Sequence, residues 1–152
     1  MDKKQFKEFC RKEFQKRGFK KVKNTYYLLG KDLLCGLHLQ KSNFGNVYYI
    51  NYYYFLGDYQ NQSIFPAYYD SDIDKRIVVM SKSQTCHGEC FLTAQIEYEE
   101  YTEEELRFFF DKEFEEKILP PIFQGKKYIL SNLGSLYKLT LNQEEVMRKL
   151  QT

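Results

Sequence analysis

The stretch that decides the fold is Phe44-Gly45-Asn46-Val47-Tyr48-Tyr49-Ile50-Asn51-Tyr52-Tyr53-Tyr54-Phe55-Leu56-Gly57, fourteen residues with no charge and five tyrosines. Aromatic and β-branched residues at this density pack well on a pleated surface, so the segment reads as a strand over 47–56. The lack of charge predicts a central place in its sheet. Upstream, Leu33–Gln40 reads as a partner strand, and Lys41–Asn46 supplies the Ser, Asn and Gly of a hairpin loop. With a loop over 42–45, Lys41 meets Asn46 and Gly36 meets Asn51. Leu33, Cys35, Leu37 and Leu39 then share a core face with Tyr48, Ile50, Tyr52 and Tyr54. The opposite face holds Leu34, Gly36, His38, Gln40, Tyr49, Asn51 and Tyr53, with a shallow depression at Gly36. A one-residue slip would mix the two sets, which favours this register.

Toward the N-terminus, Asp2 and Gln5 form a capping box, and Phe6, Phe9, Cys10 and Phe14 fall on one helical face that Gly18 ends. Short strands follow at Phe19–Lys23 and Thr25–Leu29, with a turn at Gly30-Lys31-Asp32. Beyond the tyrosine strand, a polar loop over Gly57–Lys75 leads to strands at Arg76–Ser81 and Phe91–Glu97. In the latter, Leu92, Ala94, Ile96 and Tyr98 alternate. A second capping box, Thr102 with Glu105, opens a helix whose stripe is Leu106, Phe109, Phe110, Phe114 and Ile118, ended by Pro120-Pro121. Residues Ile122–Leu139 fit short strands or a short helix equally. Asn142 with Glu145 opens a last helix carrying Val146 and Leu150. The pattern is α+β: an antiparallel sheet of about five strands, with an N-terminal helix and C-terminal helices packed mainly on one face. No repeat or linker divides residues 1–152, so a single α+β domain is expected.

A chain of 152 residues buries roughly 68–70% of its unfolded surface, enough to stand without a disulfide or metal. The hydroxyls of its 14 tyrosines want partners, which places many of the rings half wet at the sheet margin. The net charge of +2 argues against generic nucleic-acid affinity. Its distribution is uneven. Residues 1–23 carry ten basic residues against three acidic ones, a net of +7; residues 97–116 carry ten acids against Arg107 and Lys112, a net of −8. Two solvated helix faces packed near each other account for this, and a basic face for an acidic partner is the sharper alternative.

The N-terminus is charged and amphipathic, unlike a signal peptide, and no apolar run reaches membrane-spanning length. The four cysteines, Cys10, Cys35, Cys86 and Cys90, are then expected reduced, in the cytoplasm.

Several elements carry a resemblance. Gly18-Phe19-Lys20-Lys21 and Asn24-Thr25-Tyr26-Tyr27 follow the first helix; Leu37-His38-Leu39-Gln40-Lys41-Ser42 ends one strand, and Tyr49-Ile50-Asn51 sits in the next. In this order they resemble the bacterial domain-of-unknown-function 4304 family over residues 1–115. The chain departs from that pattern at Cys86–Phe91, where Glu89 and Cys90 replace an arginine-containing strand. The resemblance implies a small α+β domain and brings no catalytic residues.

Chemistry-bearing constellations are weak. A metal site from His38, Cys86, His87 and Cys90 has the right ligand types but lacks a C-x2-C knuckle, and idle thiols explain the cysteines as well. Asp70-Ser71-Asp72-Ile73-Asp74 opens like a calcium loop, yet Lys75 stands where glycine belongs and Ser81 where glutamate belongs. Cys86 beside His87 is the sole nucleophile–base neighbour, and adjacent side chains tend to point apart. No cofactor motif is present. The expectation is a non-enzymatic interaction module that binds a protein partner or itself through the tyrosine-rich face. The candidate ligand-binding residues are His38, Gln40, Tyr49, Asn51 and Tyr53. A single-stranded nucleic acid or small ligand on the same face is the alternative; it is not favoured, because the tyrosine strand has no interleaved Lys or Arg. A Cys/His metalloprotein is the second alternative.

Overall fold

The computed structural model describes residues 1–139 and 143–152. Helix α1 (Lys3–Lys16) starts with the expected box: the Asp2 carboxylate accepts the Gln5 N–H, and the Gln5 side chain accepts the Asp2 N–H. It ends where Gly18 takes φ 96°, a conformation that costs glycine nothing. Four antiparallel pairings then build one sheet in the order β1 (Lys20–Val22), β2 (Thr25–Leu29), β3 (Leu34–Lys41), β4 (Tyr48–Phe55) and β5 (Ile73–Arg76). The fold is α+β, with the tyrosine strand paired on both sides as its lack of charge predicts.

The hairpin differs from expectation in one respect. Lys41 pairs with Tyr48, so the loop runs over 42–47, and Gly36 faces Tyr53 while His38 faces Asn51. The register shifts by two residues, which preserves side-chain parity. Cys35, Leu37, Ile50, Tyr52 and Tyr54 still point to one side and Gly36, His38, Gln40, Asn51 and Tyr53 to the other. Ile50 and Leu37 are sealed in the core.

Two strands also sit differently. Ile73–Arg76 falls partly in the expected loop yet forms the edge β5. The segment expected as one strand over 76–81 breaks at Ile77, whose N–H still reaches Ile50 O. From there β6 (Val79–Gln84) pairs with β7 (Cys90–Thr93) as a separate two-stranded ribbon. Leu92 is exposed on this ribbon, so the alternation expected over 92–98 holds only from Ile96, which bridges to Tyr48.

The helices pack on the Leu37 face. The apolar stripe of α1 meets that of α2 (Glu103–Glu113) through Phe9–Phe110 at 5.3 Å and Phe14–Phe110 at 6.3 Å. The charge-opposed helices are therefore neighbours. Arg17 pairs with Asp111, Arg107 reaches Glu13, and the Arg17 guanidinium lies 4.3 Å above the Phe114 ring. Burial alone would raise the Glu13 pKa; hydrogen bonds from Lys16 and Arg17 outweigh it and hold the carboxyl below its ordinary value.

The prolines do not end the second helix. A π turn at Phe114–Ile118, with Leu119 N–H reaching back to Phe114 O, carries it into α3 (Leu119–Gln124), where the two prolines occupy the first turn. Pro121 has no N–H for the Lys117 carbonyl. The Tyr137 hydroxyl donates to that carbonyl at 2.6 Å, and Tyr54 donates to Lys117 O at 3.1 Å and Ile118 O at 2.9 Å. This corrects the expectation of half-wet rings: Tyr52, Tyr54 and Tyr137 are fully buried, since backbone carbonyls freed inside the core supply partners for two of them.

The open stretch 122–139 is helical at first. Gly125 (φ 91°) separates α3 from α4 (Lys126–Ser131), and a short turn closes on a Leu133–Tyr137 bridge. This corner docks on the β2–β3 turn through Lys31 N–H to Ile122 O (2.9 Å) and Lys126 N–H to Asp32 Oδ1 (2.8 Å). Helix α5 (Gln143–Gln151) buries Val146 and Leu150. Its expected cap, Asn142, lies outside the described residues.

Candidate functional site

The second sheet face is divided in two. Toward one end, Tyr27, Leu34, Tyr53 and Phe55 form a small apolar cluster, and the 57–72 segment lies over it. Phe65 meets Tyr27 at 5.2 Å, Tyr59 meets Phe55 at 6.3 Å, and Pro66 O accepts the Tyr27 hydroxyl at 2.7 Å. Tyr68, in a 3-10 turn, covers Tyr53 at 5.7 Å and stacks flat on His38 at 4.9 Å and 12°. Tyr53 is therefore buried; burial, with the Asp74 charge behind it, pushes its hydroxyl up to about 12. It braces the site and presents no ring to solvent. The segment that resembles a calcium loop serves the fold instead. Asp72 accepts the Leu56 N–H at 2.7 Å and pairs with Lys149 at 2.7 Å.

Toward the other end the face is polar and partly open. Asn51 Nδ2 donates to Gln40 Oε1 at 2.9 Å, and Arg76 Nε donates to Asn51 Oδ1 at 3.0 Å. The Arg76 guanidinium lies 4.0 Å above the Tyr49 ring. Four of the five candidate residues (His38, Gln40, Tyr49 and Asn51) thus meet on β3 and β4, with Arg76 from β5 binding three strands together. Sequence reasoning missed Arg76, because its place depends on β5 pairing with β4 across a long loop. Asn51 is almost wholly buried, yet among polar groups and away from the helices. His38 Nδ1 is buried without a hydrogen-bond partner among the described residues. Burial pulls its pKa below the ordinary imidazole value, so the ring is neutral at pH 7.

A cleft of about 750 Å³ borders this end of the sheet. One wall is the first part of α1, with Lys3, Lys4, Lys7, Glu8 and Arg11; the other holds Lys21, Tyr26 and His38. The basic outer face of α1 therefore adjoins the candidate residues at His38.

The Cys/His set is split. His38 belongs to the five-stranded sheet, whereas Cys86, His87 and Cys90 lie at the tip of the separate β6–β7 ribbon, with both thiols exposed. Among the described residues no group of three or more His, Cys, Asp or Glu side chains is placed to hold a metal ion. Nor, among them, is any helix long and apolar enough to cross a membrane.

Together these features define a small α+β domain whose sheet carries a braced aromatic cluster at one end and a polar strip at the other. The chain belongs to the family described as Domain of unknown function (DUF4304), whose model matches residues 10–122. Searches of curated proteins and of solved structures each gave no match.

Proposed function

We propose that this chain is a non-enzymatic interaction module that docks a protein partner, or a second copy of itself, on the polar end of the second sheet face. The observation that carries the reading is the Arg76–Tyr49 stack, held in place by the Arg76–Asn51 hydrogen bond, with Asn51 in turn bonded to Gln40. Arg and Tyr are the residue types that most often anchor interfaces, and a pre-ordered pair loses little entropy on binding. His38 and Gln40 extend the strip along β3. A cytoplasmic setting fits the four free cysteines, since reducing compartments keep thiols unpaired.

The test is a Tyr49→Ala/Arg76→Ala variant. Light scattering of the purified chain reads self-association, and quantitative mass spectrometry of material captured from the native host reads heterologous partners. A lost dimer, or a partner depleted about 30-fold on the variant, supports the reading. A monomer that retains the same proteins with and without the two side chains overturns it.

A further inference from the structure

The cleft between α1 and the sheet is strongly basic. Lys3, Lys7 and Arg11 follow one another at four-residue spacing, so they line up along about 12 Å of the helix axis. Lys4 stands beside them and Lys21 faces them from β1. The one acid in the lining, Glu8, is engaged by Arg11 through Nε at 2.8 Å and through Nη2. Lys3, Lys4, Lys7 and Lys21 make no ion pair among the described residues. The far end of the same helix differs: Lys16 and Arg17 both pair with Glu13, and Arg17 also pairs with Asp111. The fold thus uses the cations at the end of α1 and leaves the lysines at its start exposed and without an ion-pair partner among the described residues. Lys3 and Lys4 also occupy the first turn, which holds no acid of its own, where the helix dipole is already positive. Packing gives no reason for that arrangement. An anion in the cleft would relieve it.

Building on the reading of the chain as an interaction module, we infer that this cleft binds a short acidic segment of the partner protein, in extended conformation. Its length takes three or four extended residues at about 3.3 Å each. Charge complementarity supplies attraction and register. A nucleic acid fits less well, because both rings in the lining are already engaged. Tyr26 is buried beneath Lys21, and His38 is already stacked on Tyr68. The acidic 97–116 region would also repel a longer polyanion.

The experiment is fluorescence anisotropy with a labelled hexaglutamate peptide, its glutamine counterpart and a single-stranded oligothymidylate. The proteins are the intact chain, Lys7→Glu/Lys21→Glu, and a control, Lys12→Glu/Lys127→Glu, that reverses charges outside the cleft. Circular dichroism verifies that each variant folds. The expected result is binding of hexaglutamate alone, weakened by about ten-fold or more on raising salt from about 50 to 300 mM. The cleft variant loses that binding and the control keeps it. No hexaglutamate binding at low salt, equal loss in both variants, or tighter binding of the oligonucleotide overturns the inference. So does a salt-sensitive doubling of mass without peptide that Lys7→Glu/Lys21→Glu abolishes and Tyr49→Ala/Arg76→Ala retains, which would assign the cleft to a second copy. If Tyr49→Ala/Arg76→Ala loses a partner that Lys7→Glu/Lys21→Glu retains, the cleft assignment fails while the module reading stands.

Discussion

Two side chains hold buried polar atoms that want a partner, and they differ in what surrounds them. His38 is held neutral by burial beneath Tyr68. Above its ordinary pKa of about 6.5, folded and unfolded chains both carry the neutral ring and this residue adds no pH dependence. Below that value the unfolded chain protonates first, so stability falls as pH drops toward the folded-state pKa. Urea denaturation midpoints are expected to fall between about pH 7 and pH 5.5, and His38→Gln should flatten that slope. Tyr137 is the contrasting case, because its hydroxyl closes on the carbonyl that Pro121 leaves unpaired. Tyr137→Phe is expected to cost about 1 kcal/mol, since Tyr54 still reaches the same carbonyl. The Tyr54→Phe/Tyr137→Phe pair should cost more than the two single changes added, as read by chemical denaturation.

Among the elements, the α1–α2 contact explains the opposed charges. Arg17 touches Glu13, Asp111 and the Phe114 face at once, joining the end of α1 to the end of α2 across the core surface. Arg17→Ala should destabilise by about 1–3 kcal/mol, with Arg17→Lys restoring only part, because an ammonium cannot fork to two carboxylates and stack on a ring together. Thermal melts of the two variants check this. The pairing was half legible beforehand: the opposite charges of 1–23 and 97–116 are plain in composition, but which cations meet which acids needed the helices docked.

Over the whole molecule, one end of α1 serves the fold and the other faces the cleft. Reversing the first-turn lysines, Lys3→Glu/Lys4→Glu, should therefore raise Tm by about 2–4 °C, because glutamates there complement the helix dipole. The same change should weaken acidic-peptide binding. Stability and binding moving in opposite directions would separate a functional charge from a structural one, and a calorimetric scan beside the anisotropy titration reads both.

Local signals along the chain were enough to place both capping boxes, the stop at Gly18, and the two-residue alternation that sends Leu37 and Ile50 inward and His38, Gln40 and Asn51 outward. These depend on contacts within a turn or on pleat parity, which survived the two-residue shift of the hairpin register. Packing in three dimensions was needed to show that Arg76 completes the polar strip and that the 57–72 segment covers Tyr53. It alone carried the helix on through Pro120-Pro121 and brought the start of α1 over the sheet to form a cleft. Each of these depends on partners far apart along the chain, whose meeting is set by how the whole core packs and leaves no mark in any local window of residues.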